Sequence, residues 1–178
     1  MIGLAGNTTN TLNIFWRDRL TGETRLISKG PDGKEGNGRC DQPAISADGL
    51  TVAFRSDATN LIATDGNKAG DIFVWKSGSE TLVRASVGAA DLEANGSSET
   101  PTLSGDGKVL AFVSTATNIA LGSNDSTLNN KIIRRDLGAG TNVIVTRRKN
   151  GDVSTGRNPM LSEDGNRSAY WAYGDNAG

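Results

Sequence analysis

The 178-residue chain contains no histidine. This absence excludes a Ser-His-Asp triad, an imidazole general base and any metal site built on imidazole. A single cysteine, Cys40, excludes an internal disulfide and a metal cluster held by cysteines alone. No apolar run approaches the roughly 18 residues of a membrane-spanning helix, so we expect no membrane insertion. Residues 1–15 lack the basic and apolar segments of a secretory signal peptide.

An excess of charge of one sign is also missing. The chain has 19 lysines and arginines against 20 aspartates and glutamates. Electrostatic attraction to nucleic acid depends on a basic excess, and we therefore expect no nucleic-acid partner. Proline is scarce, with 4 residues, whereas glycine reaches 23. Glycine is therefore present at about twice its usual share.

One segment occurs three times with a period of 58 residues. Pro43 begins P-A-I-S-A-D-G, Pro101 begins P-T-L-S-G-D-G and Pro159 begins P-M-L-S-E-D-G. The register holds downstream, and the copies correspond to units of about 1–58, 59–116 and 117–178 of a single domain or half-propeller. The matching downstream pairs are Ala53-Phe54, Ala111-Phe112 and Ala169-Tyr170.

Each copy reads as four short strands, which in the best-defined stretch cover 43–46, 51–56, 71–76 and 81–86. Apolar residues alternate in the second strand, and Asp-Gly turn signals separate the first two strands. No apolar periodicity of 3.6 residues is long enough for a helix. Four strands in each repeat, with turns at regular spacing, predict an all-β fold made of antiparallel β-propeller blades.

The repeat also resembles a known family. The pattern P-x-x-S-x-D-G-x-x-x-A-F-x-S, followed by A-T-N-L and D-I-F-V, is similar to the TolB-like, WD-type propeller repeats of bacterial secreted and surface proteins. The similarity covers essentially the whole chain. It implies a propeller located outside the cytoplasm, extracellular or periplasmic, that acts as an interaction module. It implies no particular reaction.

The phase of the repeat at the two ends suggests a split blade. The first residues precede a third strand and the last residues follow a second strand, so the two ends carry complementary halves of a blade. Three blade equivalents are fewer than the four or more of closed propellers. Two chains paired head to tail would give a ring of about six blades. The alternatives are a segment of a longer propeller or a filament that does not close.

Two long loops, 57–70 and 87–100, are expected on one face of the propeller. Function concentrates in loops on rigid scaffolds, so this face is the predicted surface for another protein or a glycan. The alternative is that the loops are polar spacers. Within the first loop, Asp65, Asn67 and Asp71 have the oxygen ligands that suit calcium. The same side chains could instead form Asx turns, and no other cofactor is predicted.

The repeated turn supplies the remaining candidate residues. A serine that recurs in every copy is better explained by hydrogen bonds to the turn backbone than by nucleophilic catalysis. The turn residues are Ser46, Asp48, Gly49, Ser104, Asp106, Gly107, Ser162, Asp164 and Gly165.

The aromatic residues and the cysteine are interpreted from their positions in the repeat. Phe54 and its counterparts are expected to pack between blades. Trp16, Trp75 and Trp171 border strands and are candidates for the core or for a ligand platform. Cys40 matches a serine and a glycine in the other copies, which indicates an incidental thiol in a loop.

The sequence therefore predicts a non-catalytic interaction or structural module completed by self-association. A filament subunit and a carbohydrate-binding or enzyme-accessory propeller are the alternatives. A hydrolase would have to rely on carboxylates, and no pair stands out.

Overall fold

The computed structural model describes residues 11–120, 130–148 and 152–172. These residues form strands and a single turn of 3-10 helix, Ala89–Asp91, and none of their helical segments is long and apolar enough to cross a bilayer. The strands in chain order are β1 (Phe15–Arg17), β2 (Thr24–Leu26), β3 (Cys40–Ile45), β4 (Thr51–Ser56), β5 (Asp71–Lys76), β6 (Thr81–Arg84), β7 (Ser98–Leu103), β8 (Val109–Ser114), β9 (Lys131–Asp136), β10 (Asn142–Ile144), β11 (Arg157–Leu161) and β12 (Ser168–Trp171).

The strands pair into two complete sheets and two hairpins, all antiparallel. The first blade has the order β3-β4-β5-β6 and the second blade the order β7-β8-β9-β10. The N-terminal hairpin consists of β1 and β2, and the C-terminal hairpin consists of β11 and β12. The prediction of an all-β fold made of four-stranded antiparallel blades is confirmed. The predicted strands 51–56 and 71–76 coincide with β4 and β5.

The other two strand predictions have wrong bounds. β3 begins at Cys40, because a β-bulge before Pro43 lets the strand extend on the amino side of the proline. The bulge residue Gln42 has a φ of +53°, in the left-handed region. β6 ends at Arg84, because Ser86 leaves the ladder and its hydroxyl accepts a hydrogen bond from a β5 amide at 3.1 Å.

The blades stand side by side with their first strands, β3, β7 and β11, against one another. Phe54 and Phe73 are fully buried against the N-terminal hairpin and stack with ring centroids 5.9 Å apart. Ala53 lies on the opposite face, in the core between the two blades. Because the blade is covered on both faces, a large residue fills one side and a small residue permits close approach on the other. This packing explains why the Ala-Phe pair recurs.

Candidate functional site

The turn between the first two strands has the same geometry in each copy. Ser46 Oγ donates to Asp48 Oδ1 at 2.6 Å and accepts from the Thr51 amide at 3.0 Å, and Gly49 has a φ of +73°. Hydrogen bonds from the serines hold the pKa of all three turn aspartates below its usual range. The residues with matching contacts or φ values are Ser104, Asp106, Gly107, Ser162, Asp164 and Gly165.

These turns also connect neighbouring blades. The Ala47 amide donates to the Gly105 carbonyl at 2.9 Å, and the Gly105 amide donates to the Glu163 carbonyl at 2.7 Å. A Cβ at Gly107 would lie 2.6 Å from Thr51 Oγ1 of the preceding blade, so only glycine fits this contact. The serine and aspartate side chains therefore act within a turn that joins blade to blade.

The loop face is the surface formed by loops 28–39, 57–70, 87–97 and 115–120. Asparagines join the loop before the first strand of a blade to the loop after its second strand: Asn60 Oδ1 accepts from the Asn37 amide at 2.8 Å, and Asn37 Oδ1 accepts from the Thr59 amide at 2.8 Å. Asn95 and Asn118 make the same type of contact in the second blade. The two loop types thus lie together on one side of the molecule and are hydrogen-bonded to each other in both complete blades.

The proposed calcium ligands are only partly brought together. Asp65 and Asp71 lie with Glu93 in a group whose carboxylate oxygens are all within 4.8 Å of one another. Asn67 is engaged elsewhere, because its Nδ2 donates to the Ala94 carbonyl at 2.6 Å and its oxygen accepts from a local amide at 2.5 Å. The acidic cluster is therefore Asp65, Asp71 and Glu93.

A buried arginine occupies the centre of the acidic cluster. Arg84 Nε lies 3.3 Å from Asp71 Oδ2, another guanidinium nitrogen contacts Glu93, and the third donates to the Thr64 carbonyl at 2.7 Å. Burial raises the pKa of Asp71 to about 6, although the Ser86 hydroxyl and Arg84 oppose this rise. Burial also raises the pKa of Glu93, but loop amides and Arg84 outweigh it and leave the pKa lowered.

Loop 57–70 is joined to loop 87–97 by hydrogen bonds from the Gly66 amide to the Glu93 carboxylate and from Asn67 Nδ2 to the Ala94 carbonyl. Calcium prefers a shell made entirely of oxygen ligands, whereas here a guanidinium lies between two of the three carboxylates. Calcium binding by Asp65, Asn67 and Asp71 stays a prediction.

Among the residues that the structure describes, the cluster occurs in the first blade alone. In the N-terminal hairpin, the position of Asp71 is filled by Asn13, whose Nδ2 donates to Glu35 Oε2 at 3.2 Å. In the second blade, it is filled by the fully buried Lys131. Sequence reasoning missed Glu93 and Arg84. A signal existed for Glu93, since Glu35 precedes it by one repeat. No repeat signal existed for Arg84, which matches an apolar residue in the other copies.

The cysteine and the tryptophans occupy different environments. The prediction that Cys40 lies in a loop is wrong, because it is buried in β3 with its Sγ 3.1 Å from Ser56 Oγ. Burial raises the pKa of its thiol and so keeps it unreactive. Trp75 is buried and contacts Trp16 at 5.8 Å between ring centroids, whereas Trp171 is 72% exposed.

The two hairpins leave uncovered strand edges within the described part of the chain. β12 has β11 on one side only, and β1 has β2 on one side only. Two side chains on β12 are exposed although counterparts in the complete blades are buried. Ala169 is exposed whereas Ala53 and Ala111 are fully buried, and the position of the exposed Trp171 is taken in the second blade by the buried Val113.

Comparisons with known proteins identify the fold. No family model and no curated protein matches the chain. TolB from Acinetobacter baumannii is 22% identical, with a TM-score of 0.51 over 91% of this chain and 33% of that one. A putative TolB from Agrobacterium tumefaciens is 18% identical, with a TM-score of 0.51 over 86% of this chain and 43% of that one. A structure described for two prolyl endopeptidases gives 18% identity and a TM-score of 0.55 over 90% of this chain and 22% of that one.

The chain therefore spans less than half the length of each of these proteins. At such low identity the likeness establishes the fold alone. The chain is a partial β-propeller with TolB-like blades.

Proposed function

We propose that this chain is a non-catalytic interaction module that associates head to tail with a second copy of itself. The described residues of each copy form two complete blades and two half-blades. Two copies would contribute four complete blades and two composite ones, within the range of closed propellers of about four to eight blades. Closure with two-fold symmetry would pair β1 with β12 at both junctions and leave no half-blade incomplete.

The main support for this proposal is that β12 exposes a residue at a position that belongs to the core in the complete blades. Ala169 lies at a position that both complete blades bury fully. Unpaired strand edges and exposed apolar residues favour association with another strand. The bare half-blades at the two hairpins are complementary, because one has the inner pair of strands and the other has the outer pair.

A non-catalytic role is supported by the structural hydrogen bonds and ion pairs that the candidate catalytic side chains make. The turn serines and aspartates hydrogen-bond to one another and to the turn backbone. The buried carboxylate Asp71 is held by Ser86 and Arg84. The chain also lacks histidine, the most common general base.

The loop face is the proposed surface for a partner molecule, which we expect to be a protein rather than a glycan. Glycan sites commonly use aromatic platforms, and the loops 28–39, 57–70, 87–97 and 115–120 contain no aromatic residue. An extracellular or periplasmic location follows from the resemblance to TolB-like repeats and belongs to the same proposal.

The proposal is tested by adding bulk where the composite blade would bury it. Ala169→Arg introduces a large charged side chain at an exposed site of β12, so the free chain should fold but should not dimerise. Val83→Arg is the matched control, since Val83 is 52% exposed on β6, the last strand of the first blade. In sedimentation velocity experiments the wild type and Val83→Arg should be dimers and Ala169→Arg a monomer. The same association state for all three proteins would contradict the proposal.

A further inference from the structure

We infer the register of the composite blade: β12 of one copy pairs antiparallel with β1 of a second copy, with Tyr170 opposite Phe15. This inference rests on the proposed self-association and adds the residues that meet. The complete blades provide the template. Phe54 lies opposite Phe73 in the first blade and Phe112 lies opposite Ile133 in the second.

The repeat transfers this register to the half-blades. Residues 51–56 of β4 correspond to 167–172 at β12, and residues 71–76 of β5 correspond to 13–18 at β1. The pair Val52 and Trp75 becomes Ser168 and Arg17, and the pair Ala53 and Val74 becomes Ala169 opposite Trp16. A slip by one residue would turn every side chain to the wrong face, so the register is strongly specified.

The two half-blades have the aromatic residues that this register needs. Phe54 and Phe73 are fully buried and stacked, whereas their counterparts Tyr170 and Phe15 are only half-buried in the single chain. In the inferred blade the two rings meet face to face as the template pair does. Burial of both rings would remove apolar surface from water on association.

Charge supports the same register. Arg167 would lie opposite Asp18, at the place of the pair Thr51 and Lys76. The Arg167 side chain is 83% exposed, and its ion pair with Asp164 is long, at 3.7 Å. Asp18 accepts hydrogen bonds from the Leu20 amide, which lower its pKa and keep it ionised. Opposite charges at these facing positions favour the pairing of β12 with β1 in this register. They disfavour the pairing of two copies of the same strand, which would bring like charges together.

A second copy is the partner that fits these edges. In the described residues the C-terminal hairpin presents the first two strands of a blade, and the N-terminal hairpin presents the last two. The edges match in strand order, aromatic content and charge, and all three matches come from the same chain.

Disulfide trapping tests the register. The variants Arg17→Cys and Ser168→Cys are made separately in a Cys40→Ser background, since Ser98 fills the matching position of the second blade. Residues directly opposite on antiparallel strands have Cα atoms about 4.5–5.5 Å apart, a distance that a disulfide spans. When the two variants are mixed and oxidised, a covalent heterodimer should form. Arg17→Cys mixed with Ala169→Cys is the control and should remain uncrosslinked, because residue 169 points to the opposite face.

The outcomes separate this inference from the proposal on which it rests. Dimers by light scattering without the 17–168 crosslink would overturn the register and leave self-association standing. Monomers without any crosslink would overturn both. A chain carrying both cysteines should give covalent dimers only. A ladder of covalent polymers from that chain would support the register and overturn the closed ring.

Discussion

Asp71 illustrates how one residue can behave differently from its counterpart in a neighbouring repeat. It is almost fully buried, accepts a hydrogen bond from Ser86 Oγ at 2.6 Å and pairs with Arg84. The first copy has Asn13 at this position, with Oδ1 accepting from Ser28 Oγ at 2.8 Å. An asparagine therefore fits the same hydrogen-bonding site without a titratable group.

This comparison predicts a pH effect on stability. Because burial raises the pKa of Asp71 to about 6, the folded chain binds this proton more tightly than the unfolded chain, where the pKa is about 3.9. The contribution of Asp71 to the free energy of unfolding is therefore largest below about pH 4 and falls as the pH rises through about 6. Asp71→Asn should remove this fall, which urea denaturation at pH 4.5 and pH 7 measures.

Asp32→Asn is the control for this prediction. Asp32 lies in an exposed turn where the Lys34 amide lowers its pKa. Its removal should leave the stability loss between pH 4.5 and pH 7 in place. A wild-type protein whose loss over this interval equals that of Asp71→Asn would contradict the role given to Asp71.

At the scale of elements, the repeated turn connects local structure to blade packing. Ser104 is fully buried, donates to Asp106 at 2.7 Å and accepts from the Val109 amide at 3.0 Å. Ser104→Ala leaves that buried amide without its partner and should lower the free energy of unfolding by about 1–3 kcal/mol in urea titrations.

The same substitution in the C-terminal hairpin provides the comparison. Ser162 makes equivalent contacts, but they are exposed to water. Water can replace the lost hydroxyl there, so Ser162→Ala should cost less than Ser104→Ala. An equal loss in the free energy of unfolding for the two variants would contradict this expectation. It would show that burial of the turn between blades does not determine how much the serine stabilises the fold.

The sequence predicted elements best where local pattern and burial agree. β4 and β5 were predicted with the correct bounds, because each is an apolar strand buried inside its blade. The repeat predicts that β3 starts at Pro43, whereas the strand begins at Cys40, because the bulge between Asp41 and Ala44 has no local signature in the sequence. The pairing of Glu93 with Arg84 was missed, because it depends on where two loops and a strand meet in space.

At the scale of the whole molecule, the repeat predicted the blades and the half-blades at the two ends. It did not predict what pairs with those half-blades. The angle between neighbouring blades arises from side-chain packing such as that of Ala53 and Phe112 between the two blades. In the proposed assembly, that packing would determine whether head-to-tail copies close into a ring or continue as a filament. A period of 58 residues carries no information about this angle.

The central claim, a closed ring of two copies, is tested most directly by the absolute mass of the wild-type chain. Light scattering on a sizing column across a dilution series should give a stable species of twice 18.6 kDa. A folded species of 18.6 kDa at every concentration would contradict the claim. A mass that grows steadily with concentration would also contradict it, because a closed ring has no incomplete half-blade to which a further copy could be added.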